Sequence, residues 1–199
     1  MKTDLMGTNA FSTIDVLNAR FVNPTLATLK TYDIVLTWTG YGVYANSTDF
    51  GNNLADFYDA GGRVVVTMFG YNWGLNGRWS AQGYNLIQNG SFPGTTVTSH
   101  SLVAVEAASP LLAGVTSFSE STPTGLFNEH STAQIRNGGI VVANWNTGNP
   151  FIIRGVKNGR ARVDLNIYLS ARDEFGYYNA VWTTDAAGVL IVKNALLFH

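Results

Sequence analysis

The chain has 199 residues, of which 46% are hydrophobic and 13% are charged, and its 12 basic residues nearly balance its 13 acidic ones. This length suits one domain, residues 1–199, with room for an extensive core. The balanced charge predicts no nucleic-acid partner. No apolar run approaches the roughly 20 residues of a membrane span, so no membrane insertion is expected. The absence of cysteine excludes disulfides, thiolate metal ligands and cysteine nucleophiles.

The first elements along the chain are indicated by alternation and by helix-start residues. Residues 14–19 alternate apolar and polar side chains, which predicts a strand. Residues 24–30 open with proline and threonine and place Leu26 and Leu29 on one face, which predicts a short helix.

The stretch 32–68 carries the strongest fold signal. Buried strands are predicted at 34–38 and 63–68, and the segment between them has Leu54 and Phe57 on the apolar face of a helix that ends at two glycines. This strand, helix, strand order predicts an α/β fold in which the two strands are parallel and lie adjacent or one strand apart.

The second half of the chain has a different pattern. Residues 69–99 lose periodicity and are rich in glycine, asparagine and aromatic side chains, which predicts functional loops. A final helix is predicted that is capped by Thr184 or Asp185 and carries apolar residues from Val189 to Leu197. The Asn158-Gly159 pair favours a tight hairpin, so antiparallel pairing is expected in this half. Apolar runs that predict its strands lie at 102–105, 140–143, 151–153 and 161–167.

Five segments together resemble a known family. They are residues 32–36, 54–66, 109–115, 148–151 and 162–166. In this order they are similar to class I glutamine amidotransferase-like domains, in particular to the non-catalytic branch found in exported and uncharacterised bacterial proteins. The resemblance covers residues 12–198. It implies a single three-layer, flavodoxin-like α/β domain with a mostly parallel sheet and an antiparallel C-terminal extension.

The chain departs from that family at the catalytic positions. Family enzymes carry a cysteine on the sharp turn after the strand that corresponds to 64–68, and a histidine-x-glutamate pair after a later strand. Here the turn at 70–74 has Asn72 at its tip, and residues 165–168 contain no such pair. Glutamine hydrolysis by the family mechanism is therefore excluded, and we expect no catalytic residue, no metal and no cofactor.

The start of the chain also departs from the family. Residues 2–11 have the pattern of the end of the family's first helix, and the central strand that precedes that helix is missing. An empty slot in a sheet would leave backbone donors and acceptors unpaired. We expect the slot to be filled by another strand of this chain or by a second molecule, with self-association through unpaired strand edges as one outcome.

Aromatic and amide side chains gather after the first predicted strands. Aromatic rings stack on sugars and amides bond to hydroxyls, while the same residue types also form protein interfaces, so a carbohydrate or protein ligand is predicted. The candidates are Trp38, Tyr41, Tyr71, Asn72, Trp73 and Trp79. Glu129 and His130 are further candidates, as a general base or half of a metal site, although a solvated loop is the simpler interpretation.

Two classes of function remain open at this point. The first is a non-catalytic ligand-binding or assembly module of an exported bacterial protein. With only four lysines and abundant asparagine, threonine and glycine, the composition favours an extracellular or cell-surface location. The alternative is a hydrolase that activates water through Glu129 and His130, or through Asp173 and Glu174.

Overall fold

A computed structural model describes residues 1–39, 44–88, 99–121, 133–169 and 186–199, with the backbone alone for Asn72, Trp73 and Ser121. The helices in these ranges are α1 (Lys2–Gly7), α2 (Leu26–Leu29), α3 (Ser47–Asp59), α4 (Gly77–Ala81) and α5 (Ala186–Leu197). The strands are β1 (Ile34–Thr37), β2 (Arg63–Thr67), β3 (Ile87–Gln88), β4 (Ser99–Ala104), β5 (Ser119–Ser121), β6 (Gln134–Ile135), β7 (Ile140–Trp145), β8 (Pro150–Lys157) and β9 (Arg160–Leu165).

Seven of these strands form one mixed sheet in the order β1, β2, β9, β8, β7, β4, β5, while β3 and β6 pair separately. β1 and β2 are adjacent and parallel, with Ile34 opposite Arg63, as the strand, helix, strand pattern predicts. β9 is parallel to β2, and the remaining neighbours pair antiparallel. The α/β class is therefore confirmed, whereas the parallel part of the sheet is smaller than the resemblance implies.

The two faces of the sheet carry separate cores. Val64 and Val66 of β2 pack with α3 on one face, and Val65 packs with α5 on the other. This follows from the alternation of side chains along a strand, which makes β2 apolar on both faces. Leu54 and Phe57 are buried on α3 as predicted, and the side chain of Asn46 caps that helix by accepting from the amide of Asp49 at 3.0 Å.

The hairpin between β8 and β9 has the predicted turn. Asn158 and Gly159 have φ values of +52° and +75°, a backbone conformation that asparagine and glycine adopt most readily. The hairpin places β9 between β8 and β2. Among the described strands, β2 pairs with β1 on one side and with β9 on the other, so both of its neighbours come from this chain. Self-association through unpaired strand edges stays a prediction.

The predicted strand at 14–19 is wrong. These residues form no strand; Ile14 packs against the core on the α5 face, whereas Ala19 packs against the core on the α3 face. The segment therefore passes from one face of the sheet to the other, held near β1 by a 2.8 Å bond from the Tyr32 hydroxyl to Asp15. Its alternation does not produce a buried face, because Val16 remains 43% exposed.

A buried ion pair on β9 joins the sheet to the segment that precedes β3. Arg162 and Asp164 are fully buried and bond to each other at 2.5 Å. Arg162 also donates to the carbonyl oxygens of Val64 and Tyr84, and Asp164 accepts from the amide of Leu86 at 2.7 Å. Burial raises the pKa of Asp164, while Arg162 and the backbone amides of Leu86 and Ile87 act in the opposite direction.

We expect Asp164→Asn to lower the free energy of unfolding by roughly 3 to 5 kcal/mol, because it leaves the Arg162 guanidinium buried without a counter-charge. The double variant Arg162→Met with Asp164→Leu removes both charges and should cost less than the single change. Urea denaturation of the three proteins measures these differences. A double variant that is less stable than Asp164→Asn would contradict this account of the pair.

Candidate functional site

The chain turns sharply after β2, at the carboxyl edge of the parallel strands. Phe69 has a φ of +69°, which is uncommon for a residue with a side chain, and a π-helical turn follows over Gly70–Gly74. Gly70 is required beside it, because a Cβ atom there would lie 2.7 Å from the Val66 side chain. The sequence predicts Asn72 at the tip of an elbow, whereas the left-handed residue is Phe69, whose buried ring cannot act as a nucleophile.

A hydrogen-bonded network connects this turn to β7 and β9. The Tyr71 hydroxyl donates to Asn166 Oδ1 at 2.7 Å, and the Trp145 indole donates to the Asn166 carbonyl oxygen at 2.9 Å. Asn166 Nδ2 in turn donates to the Pro150 carbonyl oxygen at 2.8 Å. Asn166, which follows β9, therefore joins the turn, β7 and the start of β8.

A carboxyl and an imidazole face each other farther along the same edge. His100 on β4 is paired in register with Glu120 on β5, and both side chains are about 1% exposed. The His100 ring lies 5.6 Å from the Trp145 ring. Neither carboxyl oxygen of Glu120 has a hydrogen-bond partner among the described residues, and burial raises the pKa of this group to about 8.

A polar groove of about 530 Å³ lies beside the turn, between α4 and the β3–β6 pair. Its volume falls within the range of small-molecule sites. Its polar lining consists of Tyr71, Ser80, Gln82, Asn85, Gln88, Arg136 and Asn137. Amide groups dominate this lining, and Arg136 is its one charged side chain among the described residues, so this part of the groove offers both donors and acceptors with little net charge.

The wall of the groove is fixed by bonds from the core. The Trp79 indole donates to Asn85 Oδ1 at 2.6 Å, and Asn137 Nδ2 donates to the Asn85 carbonyl oxygen at 2.6 Å. Tyr84 and Leu86, on either side of Asn85, bond to the Arg162–Asp164 pair through their backbone. The core therefore fixes the position of Asn85. The side-chain NH₂ group of Asn85 takes part in none of these bonds.

The structure separates the residues that the sequence grouped as one aromatic site. Tyr71 lines the groove, whereas Trp38 packs against the α5 core. Trp79 is fully buried, because its ring stacks on Tyr84 at 5.1 Å and lies 4.8 Å from the Arg162 guanidinium, so it supports the groove from inside. The other candidates lie outside the described residues or side chains: Tyr41, Asn72, Trp73, Glu129, His130, Asp173 and Glu174.

Two further observations concern metals and membranes. Within the described ranges, no group of three or more histidine, cysteine, aspartate or glutamate side chains is placed to hold a metal ion. In the same part of the chain, no helix has the length and apolar character required to span a bilayer.

Comparison with known proteins yields structural neighbours only. No family model matches the chain, and no curated protein does. Cytoplasmic protein STM1381 of Salmonella typhimurium LT2 aligns with a TM-score of 0.53 and 14% identity over 83% of this chain and 75% of its own. Cytoplasmic protein STM3548 of Salmonella typhimurium aligns with a TM-score of 0.53 and 13% identity over 83% and 74%. At this identity the likeness concerns the fold alone.

These neighbours correct one expectation from composition. Both are described as cytoplasmic proteins, which contradicts the extracellular or cell-surface location expected from the scarcity of lysine and the abundance of asparagine and threonine. A bias in composition reflects many influences besides the compartment, and it was the sole basis of that expectation.

We expect Tyr71→Phe to lower the free energy of unfolding by roughly 1 to 3 kcal/mol, because it removes the donor to the buried Asn166 Oδ1. Tyr32→Phe is the matched control, since it removes a hydroxyl that bonds to Asp15 at the surface. Urea denaturation should show a clearly smaller loss for the control. Equal losses would contradict the structural importance of the Tyr71–Asn166 bond.

The raised pKa of Glu120 predicts a decline in stability with pH. The folded state retains this proton up to about pH 8, whereas the unfolded chain releases it near the ordinary value of 4.5. The contribution to stability is therefore complete below pH 4.5 and is lost as the pH rises to 8, by at most about 1.4 kcal/mol per pH unit. Urea denaturation at pH 5, 6.5 and 8 should show that the free energy of unfolding of Glu120→Gln increases relative to that of the wild type as the pH rises. A constant difference would contradict the assignment.

Proposed function

We propose that the protein is a non-catalytic binding module of the glutamine amidotransferase-like type, and that its polar groove holds a small, neutral, polyhydroxylated molecule such as a carbohydrate. The observation that carries the proposal is the amide-rich lining of the groove on a wall fixed by the core. Ligands of open α/β sheets bind outside the carboxyl ends of the strands, which is where the turn beside this groove lies.

The proposed family relationship includes a three-layer, flavodoxin-like arrangement. It is supported by the parallel β1 and β2, by the helix α3 that connects them, and by the packing of α3 and α5 on opposite faces of β2. The antiparallel β7, β8 and β9 correspond to the C-terminal extension that the resemblance implies.

The chemistry of the turn supports binding over glutamine hydrolysis. A covalent mechanism needs a nucleophile at the turn and a base within hydrogen-bond reach of it. Phe69 occupies the left-handed position of the turn, and Asn166 follows the strand after which the family carries its histidine. The hydrolase alternative based on Glu129 and His130, or on Asp173 and Glu174, stays a prediction, because these residues lie outside the described ranges.

The lining also indicates the class of ligand. Amides donate and accept hydrogen bonds as sugar hydroxyls do, and they require no counter-charge. Nucleotides and other polyanions would call for several cationic groups, whereas Arg136 is the one charged side chain that the described residues contribute to the groove. A neutral polyhydroxylated ligand therefore fits this chemistry better than a phosphorylated one.

Calorimetric titration with glucose, galactose, N-acetylglucosamine and ribose, each to about 10 mM, tests the proposal. We expect at least one to bind, and Gln88→Ala or Arg136→Ala to weaken that binding by about tenfold, the value of one lost hydrogen bond. Arg20→Ala is the matched control, because Arg20 is exposed and lies outside the groove. No ammonia should be released from glutamine. Absence of binding, or equal loss in the Arg20 control, would refute the groove as the site.

A further inference from the structure

Among the described residues, strand β5 is attached to the sheet by few interactions. It has three residues, lies at the edge of the sheet, and pairs with β4 alone among the described strands. Its central residue, Glu120, points to the same face as the buried Phe118, and it stands opposite His100 of β4. A short edge strand of this kind can detach locally without unfolding of the domain.

The surroundings of Glu120 disfavour a negative charge. Phe118, which precedes β5, and Trp145 of β7 have ring centres 5.9 Å apart, and the α5 side chains in this core are apolar. His100 is the titratable group that faces Glu120 from β4. Burial raises the pKa of Glu120, and no neighbouring charge among the described residues contributes to the shift. An ionised carboxylate at this position would be buried without compensation, which is strongly unfavourable.

We propose that Glu120, facing His100, is a proton-binding site that controls the docking of strand β5 on β4. While the carboxyl group holds its proton, the strand stays paired and covers the aromatic surface formed by Phe118 and Trp145. When the proton leaves, the carboxylate gains hydration by moving out of the core, and the three-residue strand moves with it. The sheet from β1 to β7 stays intact, because β5 contributes no pairing to it beyond β4.

The titration can be followed directly by carbon-13 NMR, because the chain has only four glutamates. In protein labelled at the glutamate side-chain carboxyl, one resonance should titrate well above the ordinary range, with a midpoint of at most about pH 8, because detachment of the strand on deprotonation lowers the midpoint. Backbone amide resonances of Ser99–Ala104 and Ser119–Ser121 should shift with the same midpoint, while those of β9 should not. This experiment needs no variant, so it is informative even if substitutions impair folding.

Variants identify the group that binds the proton. Glu120→Gln should remove both the carboxyl titration and the amide shifts. Glu106→Gln is the matched control and should leave both in place, because Arg154 bonds to Glu106 and lowers its pKa. Three results would overturn the proposal: four glutamates that all titrate in the ordinary range, a titration above that range without amide shifts in β5, or amide shifts that persist in Glu120→Gln and disappear in His100→Gln.

Discussion

The buried ion pair of Arg162 and Asp164 is the interaction on which the arrangement of this domain depends. It connects β9 to the neighbouring β2 through the Val64 carbonyl oxygen, and it connects both strands to the segment around Leu86. An unpaired charge at this depth raises the free energy of the folded state strongly. Displacement of any group that bonds to the pair is therefore unfavourable. The Trp79 ring packs over the guanidinium, and its indole N–H donates to Asn85. The buried pair therefore fixes the position of Asn85 through Trp79.

At the carboxyl edge of the sheet, packing and hydrogen bonds determine the shape of the turn after β2. Phe69 adopts the left-handed conformation in the turn, and the centre of its ring lies 5.4 Å from the centre of the Tyr168 ring. The Asn166 side chain accepts a hydrogen bond from Tyr71 and donates one to the Pro150 carbonyl oxygen. Both residues stabilise the turn through packing and hydrogen bonds. The polar groups left for a ligand lie beside the turn in the groove, which is the basis of the binding function proposed above.

Local patterns predicted the elements whose signals are contained in a few consecutive residues. The parallel pair β1 and β2, the buried face of α3 and the turn at Asn158 belong to this group, since periodicity and turn chemistry determine them. The strand prediction for residues 14–19 was wrong, because their alternation of apolar and polar side chains reflects a segment that crosses from the core on the α5 face to the core on the α3 face. Glu120 could not be recognised, because serines flank it as in a surface loop and its register partner in the sheet, His100 of β4, is remote in sequence. The groove likewise joins Asn85 to residues some fifty positions away.

Native-state hydrogen exchange at the amides of Leu86 and Ile87 tests the central claim that the ion pair fixes the wall of the groove. Both amides donate to the buried Asp164 carboxylate. If the pair holds this segment as described, they exchange only through global unfolding, with the same opening free energy as the amides of Val65 and Val66 in β2. Exchange of Leu86 and Ile87 at a clearly lower free energy than β2 would show that the wall opens independently and would contradict the account.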